Sequence, residues 1–292
     1  MSLTSIPVLS LNLPKAEFAQ AIGESFRTFG FAMVKDFPID RALIDRAMEM
    51  SKEFFALPEA EKRKYHRAEM AGARGYTPFG VEIAKAAKAH DLKEFWHIGR
   101  DLPEGSPLAD ASMPPNIWPE RPEGFQELFT ELYRQYDATG AKILSAIALY
   151  LGLDEHWFDP AIEDGNSVMR LLHYPPLKDI EGEAIRAGAH GDINLITLLL
   201  GAEEAGLELL FQGKEWMNAS PPEGAMVINC GDMLERLTNH YLPSTIHRVR
   251  NPSPERAAFS RYSMPFFMHP RSHFPIKTLP QCITQDNPDR YP

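Results

Sequence analysis

The sequence predicts a mainly β protein with helices, in which a β-sandwich or double-stranded barrel follows a helical N-terminal region. Three observations predict it. The spacing of apolar residues changes near residue 165 from a helical period to a two-residue period. Beyond that point, short runs rich in Val, Ile, Leu, Phe and Tyr are separated by Gly, Pro, Asn and Asp. The 25 prolines and 19 glycines among 292 residues imply frequent chain reversals.

The elements follow in order. Pro14 stands at a helix-entry position, and Phe18, Ile22, Phe26 and Phe29 share one face of a helix over 14–29. Gly30 ends it, and Phe31 to Val34 reads as a strand. A second helix over 40–56 carries Leu43, Ile44, Ala47, Met48 and Phe54. Leu57-Pro58 interrupts it before a short charged helix that runs through Tyr65. Residues 67–92 read as a loop region because of Gly72, Gly75, Pro78 and Gly80. A long helix over 123–151 keeps Phe125, Phe129, Leu132, Tyr136, Ile143 and Ile147 at helical spacing, with Gly152 at its exit. The predicted strands are Val168–His173, Ala189–Leu200, Leu207–Gln212, Trp216–Ala219, Ala225–Asn229, Ser244–Val249 and Tyr262–Met268. No stretch has linker composition, so residues 1–292 read as one domain, with 1–160 largely helical and the strand-rich core at 165–270.

Charge and composition exclude several classes. Thirty basic against forty acidic residues give a net charge of −10, which argues against nucleic-acid or anionic-membrane partners. No signal peptide or membrane-length apolar run is present. Two cysteines, Cys230 and Cys282, can make neither a disulfide scaffold nor a cysteine zinc site, so a reducing cytoplasm is the expected compartment.

Of ten histidines, His66, His90, His156 and His273 lie among charged or turn residues and read as surface groups. His190 differs, because Asp192 follows two residues later inside an apolar run. In a strand, residues i and i+2 share a face, so imidazole and carboxylate would project together into the β body. A buried carboxylate needs a positive partner, either an arginine or a metal. His247, in a second predicted strand, supplies another imidazole. Two histidines and a carboxylate make the facial triad of non-haem Fe(II) oxygenases. Three-ligand zinc hydrolases use a similar set, so the triad alone leaves the metal open. Arg261 and Ser263, on one face of the next strand, favour the oxygenase. A guanidinium beside a hydroxyl suits the far carboxylate of a bound diacid.

With these residues in hand, the chain resembles the 2-oxoglutarate- and Fe(II)-dependent dioxygenases of the isopenicillin N synthase-like family. The matching segments span nearly the whole length. They are Ile6-Pro7-Val8-Leu9, Gly30-Phe31-Ala32, Phe54 to Pro58 with Glu61-Lys62, Gly75-Tyr76, Lys93-Glu94-Phe95, Arg170 to Pro176, His190-Gly191-Asp192, Gly206-Leu207, Asn229 to Asp232, Ser244 to Val249 and Arg261 to Phe267. The resemblance implies a double-stranded β-helix, or jelly-roll, core over 165–270. It implies Fe(II) on His190, Asp192 and His247, and 2-oxoglutarate on that iron with its 5-carboxylate on Arg261 and Ser263. Tyr174 matches a family tyrosine that also contacts the co-substrate. Ascorbate is an expected reductant.

The implied activity is O2-dependent oxidation, by default hydroxylation, of a small molecule that the sequence does not identify. Tyr76, Phe79, Phe95, Trp96 and Phe266 are the aromatic candidates for its pocket. The alternatives are a 2-oxoglutarate-independent iron oxidase of the same fold, a zinc hydrolase, and a non-enzymatic binding module with a structural metal. The chain departs from the family in having Leu172 where Asn is common, in a longer connection from His247 to Arg261, and in stopping at Pro292, where relatives usually continue into another helix.

Overall fold

The computed structural model describes residues 5–81, 92–109, 112–176, 186–200 and 206–292. In chain order the elements are β1 (Val8–Ser10), α1 (Lys15–Phe29), β2 (Phe31–Lys35), α2 (Arg41–Phe55), α3 (Glu59–Arg63), β3 (Gly75–Thr77), β4 (Glu94–Gly99), α4 (Phe125–Tyr150), α5 (Asp159–Ile162) and β5 (Val168–Tyr174). They continue with β6 (Ala187–His190), β7 (Ile196–Leu200), β8 (Leu207–Phe211), β9 (Glu215–Asn218), β10 (Met226–Cys230), α6 (Asp232–Leu237), β11 (His247–Val249), α7 (Pro254–Ala257) and β12 (Arg261–Met268).

Two sheets form the body. The larger has the order β1-β2-β10-β7-β12-β5-β4-β3, and the smaller has β6-β11-β8-β9. Apart from the parallel β1–β2 pair, every pairing is antiparallel. Side-chain alternation builds two cores. Met264, Phe266 and Met268 of β12 and Met169 and Leu171 of β5 pack with Phe129, Leu132, Tyr136 and Ile143 of α4. The opposite face, including Leu172 and Tyr174, packs against Leu207, Leu209 and Val249 of the smaller sheet. The long helix therefore covers the outside of the larger sheet, as its spacing predicts. Each fully buried Leu, Ile or Phe contributes roughly 1.5–3 kcal/mol over an exposed one.

The structure corrects several sequence readings. The region 67–92 is not all loop. It holds a 3-10 turn at Ala68–Met70 and the strand β3, while residues 82–91, with His90, lie outside the described residues. Glycine punctuation hid β3, and the absence of alternation hid β4, whose six residues are all buried. A strand buried on both faces carries no two-residue signal. The run predicted as one strand over 189–200 is two, β6 and β7, in different sheets. Residues 191–195 turn between them, so Asp192 lies just beyond β6 rather than within it. The predicted strand over 244–249 begins only at His247. His66 is half-buried, and its Nδ1 lies 3.0 Å from the Tyr76 carbonyl oxygen. The short helices α5, α6 and α7 lack the length for a visible period.

Gly30 links the helical layer to the site. It ends α1 at φ 67°, in the left-handed region, and its N–H donates to the Phe26 carbonyl. A Cβ there would stand 2.4 Å from Thr245 Oγ1 and 2.5 Å from the Pro243 carbonyl oxygen. Thr245 in turn donates to the Phe29 carbonyl, so this contact fixes the segment that enters β11. Gly30→Ala incurs both backbone strain and a clash with main chain. It is expected to cost about 2 kcal/mol or more, and a fall of several degrees in melting temperature by calorimetry checks this.

Candidate metal centre and co-substrate pocket

The cavity between the sheets follows from the same alternation. Arg261, Ser263, Pro265 and Phe267 line it from β12, and Arg170, Leu172 and Tyr174 line it from β5. Thr197 and Asn229 enter from β7 and β10, and His190 and His247 from β6 and β11. All six residues singled out in the sequence therefore meet in one cavity. Wider grooves of about 510 and 620 Å3 lie elsewhere on the surface and contain none of them.

His190, Asp192 and His247 present ligand atoms that all lie within 4.8 Å of one another. Backbone pairing creates this, because His190 and His247 are register partners across β6 and β11. Asp192 Oδ1 lies 3.9 Å from His190 Nε2 and 3.8 Å from His247 Nε2. The turn after β6 is anchored by Asp232 N–H, which donates to the Asp192 carbonyl at 2.7 Å. Thus a turn, rather than a shared strand face, brings Asp192 to the two imidazoles.

Secondary contacts orient each donor. His190 Nδ1 donates to the Gly188 carbonyl at 2.6 Å, and His247 Nδ1 donates to the Thr245 carbonyl at 3.2 Å. Both Nε2 atoms keep their lone pairs for the centre. Asp192 Oδ2 accepts from Thr197 Oγ1 at 2.5 Å and from Asn229 Nδ2 at 2.8 Å. Oδ1 is left facing the histidines. Thr197 is itself fixed by Asn194 Nδ2, which donates to its hydroxyl at 2.8 Å.

Protonation fits a metal site. Burial, then the neighbouring His247, lowers the His190 pKa, so the imidazole is neutral near pH 7. Burial alone would push the Asp192 carboxyl up. His247, Asn229, His190 and Thr197 outweigh that effect and hold it below the usual carboxylate range. Two imidazoles and one carboxylate, each steered by a second hydrogen bond, suit a divalent cation of borderline softness such as Fe(II). The centre is unevenly shielded: the His190 side chain is 41% exposed and that of Asp192 6%. Access to the triad therefore runs past His190.

Arg261, Ser263 and Tyr174 are each 2% exposed. Arg261 pairs with Tyr174 in register, and its guanidinium carbon lies 5.2 Å from the Tyr174 ring centre. Leu172 faces Ser263 across the same pair of strands. Of the aromatic pocket candidates, Tyr76, Trp96 and Phe266 belong to the helix-side core and Phe79 is exposed. Phe95 packs in the core between the sheets. Among the described residues, the phenylalanines that line the cavity are Phe31 and Phe267. Phe266 and Phe267 point to opposite faces, and only the register of β12 decides between them. Sequence reasoning also missed Thr197, Asn229, Arg170 and Lys93. For Thr197 and Asn229 the signal is a polar side chain inside an apolar run, as in Ile196-Thr197-Leu198 and Val227-Ile228-Asn229.

The matched Lys93-Glu94-Phe95 segment also has a structural role. Glu94 is buried and accepts from Lys62 Nζ at 2.7 and 3.0 Å. Tyr76 Oη also donates to it, and His173 Nδ1 lies 2.6 Å away. This brace ties α3, β3, β4 and β5 behind the pocket. Burial pushes the Glu94 pKa up, but His173, Lys62 and Tyr76 outweigh it and the net shift is downward. A depressed folded pKa contributes stability above the ordinary carboxyl pKa of about 4.3, and that contribution is lost as pH falls through the folded value. Glu94→Gln is therefore expected to cost about 3 kcal/mol at pH 7. Its gap from the wild type in melting temperature should narrow below about pH 4. An unchanged gap down to pH 3 contradicts the assignment.

Two family models match the chain. One is described as the N-terminal part of non-haem dioxygenases in morphine synthesis and covers residues 6–121. The other is the 2OG-Fe(II) oxygenase superfamily and covers residues 165–270. The chain belongs to the 2OG-Fe(II) oxygenases. Among curated relatives, a 2-oxoglutarate-Fe(II) type oxidoreductase of Emericella nidulans is 33% identical over 100% of this chain and 87% of its own length. Homoarginine-6-hydroxylase of Arabidopsis thaliana is 34% identical over 85% of this chain and 76% of its own. A crystal structure of a 2OG-Fe(II) oxygenase family protein from Caulobacter crescentus superposes with a TM-score of 0.91 at 53% identity, covering 99% of this chain and 94% of that one. A full-length Neurospora crassa protein, solved in complex with alpha-KG and thymine, gives 0.86 at 29% identity, covering 98% and 92%. This 2OG-Fe(II) oxygenase is thus an Fe(II)- and 2-oxoglutarate-dependent dioxygenase of a small molecule, with a jelly-roll core. Membership in an O2-using enzyme family displaces the zinc hydrolase and binding-module readings. Among the described residues, no helix is long and apolar enough to cross a membrane.

Proposed function

We propose that this dioxygenase holds Fe(II) on His190, Asp192 and His247, binds 2-oxoglutarate through Arg261 and Ser263 beside Tyr174, and hydroxylates a small molecule in the cavity between its sheets. The observation that carries this reading is the convergence of two imidazoles and a carboxylate at one end of a pocket whose floor also presents Arg261. When bound, the metal and its co-substrate supply the oxidising power: O2 is reduced as 2-oxoglutarate decarboxylates to succinate, and one oxygen atom passes to a substrate C–H bond.

The chain's own groups position and shield. Thr197 and Asn229 hold Asp192 Oδ2, so the carboxylate offers one oxygen to the centre. The carbonyls of Gly188 and Thr245 fix the two imidazole tautomers. Arg261 takes the distal carboxylate of the diacid through its planar fork and so sets the reach of the molecule toward the triad. Leu172, Leu199, Leu207 and Val249 give the cavity apolar walls. They limit water around the reacting groups and favour an organic substrate. No side chain need act as a general base.

We read residues 1–292 as one domain, because β1–β4 of the N-terminal part extend the sheet that carries β5, β7, β10 and β12. A cytoplasmic location is consistent with the two buried free cysteines. The net charge of −10 favours a free small molecule over nucleic acid as substrate.

The test is succinate formation by the protein with Fe(II) and 2-oxoglutarate, under air and under nitrogen, with and without ascorbate. Succinate should appear only with O2, Fe(II) and 2-oxoglutarate together, and should fade over repeated turnovers when ascorbate is omitted. O2 uptake that does not depend on 2-oxoglutarate would instead support the 2-oxoglutarate-independent oxidase.

A further inference from the structure

A second set of reactive side chains lies on the other face of the larger sheet. Leu172 and Tyr174 of β5, with Arg261 and Ser263 of β12, face the cavity. Alternation therefore turns His173 and Tyr262 the other way, toward α2. Register aligns Glu94 of β4 with His173, and His173 with Tyr262, in one row across three strands. Ser260, the residue before β12, stands beside that row.

Three of these side chains form a relay. Ser260 Oγ lies 2.9 Å from His173 Nε2, and His173 Nδ1 lies 2.6 Å from Glu94 Oε1. A carboxylate only accepts, so Nδ1 carries the hydrogen and the neutral ring turns its Nε2 lone pair to the serine. The Ser260 hydroxyl then donates to Nε2. A hydroxyl bonded to a base that is itself oriented by a third group is the arrangement that activates a serine as a nucleophile.

Each member is fixed by its surroundings. Lys62 Nζ, at 2.7 Å, and Tyr76 Oη donate to Glu94 Oε2, and Oε1 points to the imidazole. The His173 ring centre lies 5.3 Å from that of Phe55 and 4.7 Å from that of Tyr262, with the Tyr262 ring stacked at 11°. The Tyr262 phenol interacts with the Ser260 hydroxyl as well. His173 and Glu94 are buried, whereas Ser260 is only half-buried and its neighbour Phe259 is exposed. The serine thus lies at the surface, beside an apolar ring, with its base shielded behind it.

We infer that Ser260, His173 and Glu94 form a second reactive site, separate from the iron centre, in which Ser260 takes the acyl group of small carboxylic esters. The Oγ–acyl bond forms as the ester C–O bond breaks. The hydroxyl proton passes to His173 Nε2 and from there to the departing alcohol. Water, deprotonated by the same Nε2, then releases the acid and restores the serine. Ester and water become acid and alcohol, with no oxidant or reductant. Glu94 is a positioning residue for His173.

The test uses the full chain with Fe(II) and 2-oxoglutarate under nitrogen, so that oxygen chemistry is idle. The protein is treated with a fluorophosphonate and, separately, with p-nitrophenyl acetate. Mass spectrometry should find the phosphonyl group on Ser260. Ester hydrolysis above the buffer rate should fall roughly tenfold or more in Ser260→Ala, and His173→Gln should slow labelling about 100-fold or more, with circular dichroism to confirm folding. Ser260→Cys keeps a nucleophile in place, and iodoacetamide should alkylate it faster than the buried Cys230 and Cys282. Glu94→Gln should slow labelling and move the rising limb of its pH profile to lower pH, because the imidazolium loses its carboxylate. Lys62, Tyr76 and Tyr262, the other titratable groups described against this pair, are unchanged in that variant. A Glu94 that only braces the fold would leave the limb in place. Absence of label from Ser260, labelling that is unchanged in His173→Gln, or ester hydrolysis that survives in Ser260→Ala overturns the inference.

Discussion

Replacing Asp192 with alanine is expected to abolish turnover and to lower Fe(II) affinity by more than 100-fold. The magnitude follows from the place of this carboxylate in the site. Groups that merely orient a metal ligand are worth 10- to 100-fold in affinity, and Asp192 is the group that Thr197 and Asn229 orient. It is also the only carboxylate among the described residues lining the cavity. Without it, two imidazoles face a divalent cation with no anionic partner. Thr197→Ala or Asn229→Ala should fall within the 10- to 100-fold range, because each removes one of two hydrogen bonds to Oδ2. Equilibrium dialysis against Fe(II), with circular dichroism to confirm folding, orders the three variants. Wild-type iron affinity in Asp192→Ala would contradict the assignment.

Arg261→Ala has the second largest expected effect, and it falls on a different quantity. Losing a buried arginine–carboxylate pair costs about 2–5 kcal/mol. At about 1.4 kcal/mol per tenfold, this raises the 2-oxoglutarate requirement roughly 30- to 4,000-fold. Fe(II) affinity should change little, since Arg261 sits on β12 and the triad on β6, β11 and the turn after β6. Arg261→Lys retains charge but not the planar fork, so it should fall between wild type and alanine. The measurement is the 2-oxoglutarate dependence of succinate formation for all three proteins. An unchanged dependence in the alanine variant removes Arg261 as the anchor.

The parts of this site that were legible in the sequence are those whose chemistry is local. His190 and Asp192 stand two residues apart in an apolar run, and His247 and Arg261-Tyr262-Ser263 follow in strand-like runs. Their convergence could be expected, yet its local cause is different. An alternating pattern extended through 189–200 hides a chain that leaves one sheet and enters the other, and only the pairing of β6 with β11 and of β7 with β10 reveals the turn. The long helix α4 was legible because its apolar stripe persists over 26 residues. The strand β4 was not, because it is buried on both faces. Arg170 and Lys93 were hidden for another reason. Each lies within a segment that already matched the family, and what turns Arg170 into the cavity is the β5–β12 register. A register cannot be read from either strand alone.

The most direct measurement of the central claim is a crystal grown without oxygen in Fe(II) and 2-oxoglutarate, with anomalous scattering recorded at the iron edge. The account predicts one iron peak bound by His190 Nε2, Asp192 Oδ1 and His247 Nε2 at roughly 2.0–2.3 Å, with a chelated diacid whose far carboxylate ends on Arg261 and Ser263. An iron peak away from these three side chains, or a diacid that does not reach Arg261, would contradict it.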